Sequence, residues 1–111
     1  MTTVSTHILD LSAGHPAAGV PVSLGVWSGD GWAPAGGSVT GPDGRVTDLP
    51  RLDGEDPVTA RLVFAVRDYL VASHGSAFFP EITVVFTAGP GEHYHVPLLL
   101  SPFGYSTYRG S

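Results

Sequence analysis

Three segments of this chain place apolar residues at every second position. VPVSLGVW puts Val20, Val22, Leu24 and Val26 on one face, ARLVFAV does the same with Leu62, Phe64 and Val66, and EITVVFTA with Ile82, Val84 and Phe86. Period-two patterning with polar residues between predicts half-buried antiparallel strands. In STHILDL, His7 and Ile8 must point to opposite faces. In HYHVPLLLS, Tyr94, Val96, Leu98 and Leu100 face one way, while His93, His95, Leu99 and Ser101 face the other. Pro97 interrupts that run and predicts an edge strand or a bulge, but the apolar pattern is strong enough to keep the strand. GPDGR is a turn signal leading into a short strand at Arg45–Asp48. RDYLVASHG predicts the one helix, about two turns long, with Gly75 as its C-cap. Gly29–Gly37 reads as turn and LDGEDP as an acidic loop. Seven or eight short strands without internal repeat or linker predict a single all-β domain over residues 1–111, a β-sandwich.

Composition removes several function classes. With a formal charge of −5 and 14% charged residues, the chain lacks the basic surface that phosphate backbones reward, so no nucleic-acid partner is expected. No apolar run approaches the roughly 20 residues that span a bilayer, and MTTVSTHILD has neither a basic n-region nor an apolar h-region; no membrane association and a cytoplasmic location are expected. The chain has no Cys and no Lys. Thiolate nucleophiles, Cys-ligated zinc, Schiff bases and P-loop lysines are therefore out of reach. No GxSxG, HExxH or phosphate-cradling loop occurs either.

The remaining chemistry rests on histidine, arginine, hydroxyl groups and carboxylates. His7 and His95 each oppose the core side of their strands, and one sheet holding both strands could bring the rings together. Two imidazoles within hydrogen-bond reach can hold one as a neutral general base, and an adjacent arginine would favour that neutral form. His93-x-His95 with His7 also permits a three-histidine zinc site, but any H-x-H strand meets that spacing, and no metal or other cofactor is expected. Arg45, directly after Asp43-Gly44, offers a guanidinium fork for a planar, amide-rich or anionic ligand. His15 and His74 read as solvated, His93 as flanking the site, and Asp10 as a turn-side carboxylate without an obvious partner.

STHILDLSAGHPAAGVPVSL, DGRVTDL, FFPEITVVF and HYHVPLLLSPFGYSTYRGS, in this order, resemble the transthyretin-like 5-hydroxyisourate hydrolases of urate breakdown over essentially the whole chain. Gly41-Pro42 departs from the acidic or amide residue usual in that turn. The resemblance implies two four-stranded sheets with one short helix, a homotetramer built as a dimer of dimers, and a metal-independent cyclic amide hydrolase. It implies the small molecule 5-hydroxyisourate as substrate, opened to 2-oxo-4-hydroxy-4-carboxy-5-ureidoimidazoline in purine catabolism. It assigns catalytic roles to His7, Arg45, His95 and Ser111, and substrate binding to Tyr108, Arg109 and Gly110, with either histidine as the base. The tail would close a pocket between subunits. Two readings compete: a carrier using the same inter-dimer channel, as transthyretin does, and a plain sandwich interaction module with solvated histidines.

Overall fold

The computed structural model describes all residues, Met1–Ser111. Its elements run β1 (Thr3–Asp10), β2 (His15–Pro16), β3 (Pro21–Trp27), β4 (Trp32–Val39), β5 (Arg45–Val46), β6 (Val58–Phe64), α1 (Arg67–His74), β7 (Ile82–Ala88), β8 (His93–Ser101) and β9 (Gly104–Thr107). They form two sheets. One is antiparallel throughout, in the order β4-β3-β6-β7; the other runs β2-β1-β8-β9, with the two-residue β5 added on β1 as a short fifth strand. No helix is long and apolar enough to cross a membrane.

The alternating residues do what their period requires. Val22, Leu24, Leu62, Phe64 and Ile82 from one sheet meet Val4, Ile8, Val96, Leu98 and Leu100 from the other in a single buried core. The helix forms where expected and ends at Gly75, whose φ of 82° lets its N–H return to the Val71 carbonyl.

Three local expectations need correction. Part of the stretch read as turn, Gly29–Gly37, is strand: Trp32 onward forms β4 on the sheet edge, with a register shift opposite Leu24 and Gly25. An edge position tolerates Pro34 and the paired glycines, which hid the strand from its pattern. Pro97, by contrast, lies in an interior strand between β1 and β9. Its missing N–H falls on the β9 side, where the ladder ends at Leu98–Thr107, and its carbonyl there accepts the Thr107 hydroxyl at 2.7 Å. Asp10 and His74 are not solvated bystanders. The Asp10 carboxylate is fully buried and accepts from Tyr69 Oη at 2.6 Å, His74 Nε2 at 2.7 Å and the N–H groups of Ser12 and Ala13. Tyr69 and His74 belong to α1, so the carboxylate ties the helix to the end of β1.

Candidate active site

Register decides which residues meet. β1 and β8 pair in parallel, with Ser5 beside His95 and His7 beside Pro97. β5 pairs antiparallel with β1, setting Arg45 beside His7. Because paired residues share a sheet face, Thr3, Ser5, His7, Arg45, His93 and His95 all stand on the face away from the core. The structure thus gathers His7, Arg45 and His95 on one face, the side on which strand alternation had put the two histidines.

The turn before Arg45 is built for this approach. Gly41 N–H donates to the Arg45 carbonyl at 3.0 Å and Gly44 N–H to the Gly41 carbonyl at 2.9 Å, so Gly41-Pro42 closes a tight turn despite its departure from the usual residues. Gly44 takes φ of 77°, and a Cβ there would lie 2.5 Å from the Ile8 carbonyl oxygen and 2.9 Å from Pro16. Only glycine lets the turn sit against β1. Asp43 then accepts the Arg45 N–H at 3.0 Å, while its backbone carbonyl accepts from His7 Nε2 at 2.8 Å. A carbonyl can only accept, so His7 Nε2 carries a proton, and in the neutral ring Nδ1 holds the lone pair. The Arg45 guanidinium is half exposed and 4.0 Å from the Asp43 carboxylate, a loose pair that leaves its charge available.

His95 is held differently. Its Nδ1 bonds Ser5 Oγ at 2.8 Å, and the same hydroxyl lies 3.0 Å from His93 Nε2, whose other nitrogen is 2.6 Å from Thr3 Oγ1. His95 Nε2 makes no hydrogen bond within the chain. Burial, then the positive charge of Arg45, then His7 and His93 depress the His95 pKa below the ordinary 6.5, so its ring is neutral at pH 7. No group of three or more His, Cys, Asp or Glu side chains is arranged to hold a metal ion.

The tail reaches the same site. Gly110 N–H donates to the His95 carbonyl at 2.7 Å, and a Cβ on Gly110 would fall 2.7 Å from His95 Cδ2. The glycine therefore packs directly on the imidazole edge, with Ser111 one residue beyond. Tyr108 is exposed. Arg109 goes the other way. Its guanidinium lies 4.6 Å over the Tyr94 ring, and Tyr94 faces the sandwich interior beside Phe86, its hydroxyl held by Gly89 N–H and Glu92. Strand alternation puts that stack on the side of the sheet opposite the histidines, so Arg109 is separated from the residues it was expected to join.

Ser5 and Thr3 were missed by the sequence reading, although they sit at the same alternate positions as His7; what makes them matter is the parallel pairing to a strand 90 residues away. The site is also open. The three cavities of the chain lie elsewhere, lined by the groups around Trp32 and Arg61, around Val22 and Glu81, and around Leu9 and His15.

Known proteins share both fold and sequence with this chain. A 5-hydroxyisourate hydrolase of Deinococcus radiodurans is 44% identical over 97% of this chain and 95% of its own length. The structure of Klebsiella pneumoniae 5-hydroxyisourate hydrolase superposes with a TM-score of 0.82 at 33% identity, covering 100% of both chains. Transthyretin from Sparus aurata superposes at 0.89 with 30% identity, covering 97% of this chain and 96% of its own. This transthyretin thus matches the backbone at least as well as the hydrolase, and fold alone does not choose between them. Residues 4–110 match the HIUase/Transthyretin family over nearly the full length, and the chain belongs to that family.

Proposed function

We propose that this chain hydrolyses 5-hydroxyisourate to 2-oxo-4-hydroxy-4-carboxy-5-ureidoimidazoline on the face carrying His7, Arg45 and His95, a step of urate catabolism. The observation that carries the reading is the convergence of two histidines and one loosely paired arginine on the outer face of one sheet, with His95 held neutral. A neutral imidazole whose Nε2 has no partner in the chain is suited to take a proton from water. The oxygen of that water forms a bond to a ring carbonyl carbon, the C–N bond of the ring amide breaks, and the departing nitrogen takes up a proton. Negative charge develops on the carbonyl oxygen as water adds, and Arg45 supplies positive charge for it. His7, with its proton fixed on Nε2 by the Asp43 carbonyl, presents Nδ1 as a second lone-pair nitrogen on the same face. Neither step calls on a metal ion.

Gly110 packs on the edge of His95, with Ser111 the next residue and Tyr108 exposed two residues before. They would hold the ring of the substrate, while Arg109 acts by anchoring the tail on Tyr94. The open face suits an assembly in which a second copy covers it, and we place this chain in a homotetramer, a dimer of dimers, working in the cytoplasm. The carrier reading has the backbone match in its favour, but it gives no use to a neutral histidine that shares its sheet face with a loosely paired guanidinium.

The test is turnover in variants. His95→Asn should lower kcat by about 10²–10⁴ with the fold and assembly unchanged. Wild-type turnover in that variant would remove His95 from the chemistry and return the carrier reading to the front.

A further inference from the structure

The hydrogen bonds Thr3–His93–Ser5–His95 form an unbroken chain: Thr3 Oγ1 to His93 Nδ1 at 2.6 Å, His93 Nε2 to Ser5 Oγ at 3.0 Å, and Ser5 Oγ to His95 Nδ1 at 2.8 Å. Nothing in the proposed hydrolysis uses the first three members. We infer that Ser5 and His93 are positioning residues for His95, because the single hydroxyl proton of Ser5 can serve only one of the two rings, and given to His93 it leaves the Ser5 oxygen to accept from His95 Nδ1–H. The inference rests on the reading of His95 as a base.

A serine hydroxyl has one proton to give. If Ser5 donates to His93 Nε2, it accepts from His95 Nδ1–H, and His93 holds its own proton on Nδ1 toward Thr3. His95 Nε2 then carries a lone pair and can accept a proton from water. If Ser5 instead donates to His95 Nδ1, it accepts from His93 Nε2–H, and the neutral His95 carries its proton on Nε2. In that state the nitrogen free of protein contacts is a donor and the ring is no base.

Of these two arrangements, the first also suits the imidazolium formed in the reaction. With protons on both nitrogens, His95 must donate through Nδ1, and the Ser5 oxygen already accepts there. The proton can arrive without any hydroxyl turning. The charged and titratable groups facing this chain are His7 and Arg45 from β1 and β5, with Asp43 in the turn; Glu92, next to His93, is turned to the Tyr94 hydroxyl.

The experiment is nitrogen-15 correlation NMR of histidine-labelled protein near neutral pH, with kinetics on the same samples. Wild-type His95 should show its proton on Nδ1 and a lone pair on Nε2. In Ser5→Ala the ring should lose that fixed tautomer, and kcat should fall about 10- to 100-fold, the scale on which orienting partners of ligand histidines act, with KM little changed. Ser5→Thr, which keeps the hydroxyl, should restore both. A wild-type His95 protonated on Nε2, or the same tautomer in wild type and Ser5→Ala, would overturn the inference. If the native protein proves not to hydrolyse the substrate, the functional reading falls, yet the tautomer spectra still decide whether Ser5 sets the His95 proton.

Discussion

Replacing Gly110 by alanine isolates the contact between tail and imidazole. The new Cβ would lie 2.7 Å from His95 Cδ2, 3.3 Å from the His95 carbonyl oxygen and 3.4 Å from its Cβ. Carbon atoms in contact sit about 3.5–4.0 Å apart, so the tail or the ring must give by about 1 Å. If the tail moves, the 2.7 Å bond from Gly110 N–H to the His95 carbonyl is lost, together with the support of Ser111. If the ring moves, the 2.8 Å bond to Ser5 is lost. Either displacement is of the size that costs about 10²-fold in rate. Stability should change far less, since one partly exposed hydrogen bond is worth about 1 kcal/mol, a Tm shift of about 4–8 °C. The assay is steady-state turnover beside calorimetry on the same preparation. Full turnover in Gly110→Ala, with the Tm lowered as stated, would show that packing of the tail on His95 has no part in the chemistry.

Arg45→Gln removes the second cause of the low His95 pKa after burial. The acid limb of kcat/KM, expected below the ordinary histidine value of 6.5 while Arg45 is present, should move upward, and kcat should drop by about 10²–10³; an unmoved limb would separate Arg45 from His95. Asp10→Asn should cost about 3 kcal/mol in urea unfolding, because the buried carboxylate serves Tyr69 and His74 as partner. Burial raises the Asp10 pKa, but the hydrogen bonds from Tyr69, His74 and Ala13 and the charge of His74 together bring it below 3.8. The stability it contributes is thus complete above the unfolded value and lost as pH falls through the folded one, and Asp10→Asn should flatten the acid side of the stability profile. Arg109→Ala should speed trimming of the tail by carboxypeptidase, with Arg109→Lys intermediate; equal trimming in all three proteins would mean that the Tyr94 stack anchors nothing.

What could be read from residues alone was local. Alternation assigned the core faces of Val22, Leu24, Leu62, Phe64, Ile82, Val96 and Leu98, and Gly75 marked the helix end, since period and turn chemistry act within a few residues. Opposition of His7 to Ile8 and of His95 to Val96 placed both histidines outside the core. What escaped depended on pairing across the chain. Nothing in VSTH reveals that Ser5 stands beside His95, because that follows from a parallel register between residues 90 apart. Asp10 looked unpartnered because Tyr69 and His74 lie 59 and 64 residues away. Arg109 was grouped with its neighbours in the tail, yet the bridge between Gly110 and His95 turns Gly110 to the histidines and Arg109 to the other side. β4 was hidden by Pro34 and two glycines at an edge, where alternation is not enforced by burial on both sides.

The central claim is that this face hydrolyses 5-hydroxyisourate, and the decay of that compound tests it most directly. Urate and urate oxidase generate it in the cuvette, and its absorbance is followed with no addition, with the native chain, and with a chain lacking Tyr108–Ser111. The account predicts accelerated decay with the native chain alone, and the spontaneous rate with the shortened one although it remains folded. Decay at the spontaneous rate with the folded native protein would contradict the hydrolase; acceleration by the shortened chain would contradict the part given to the tail.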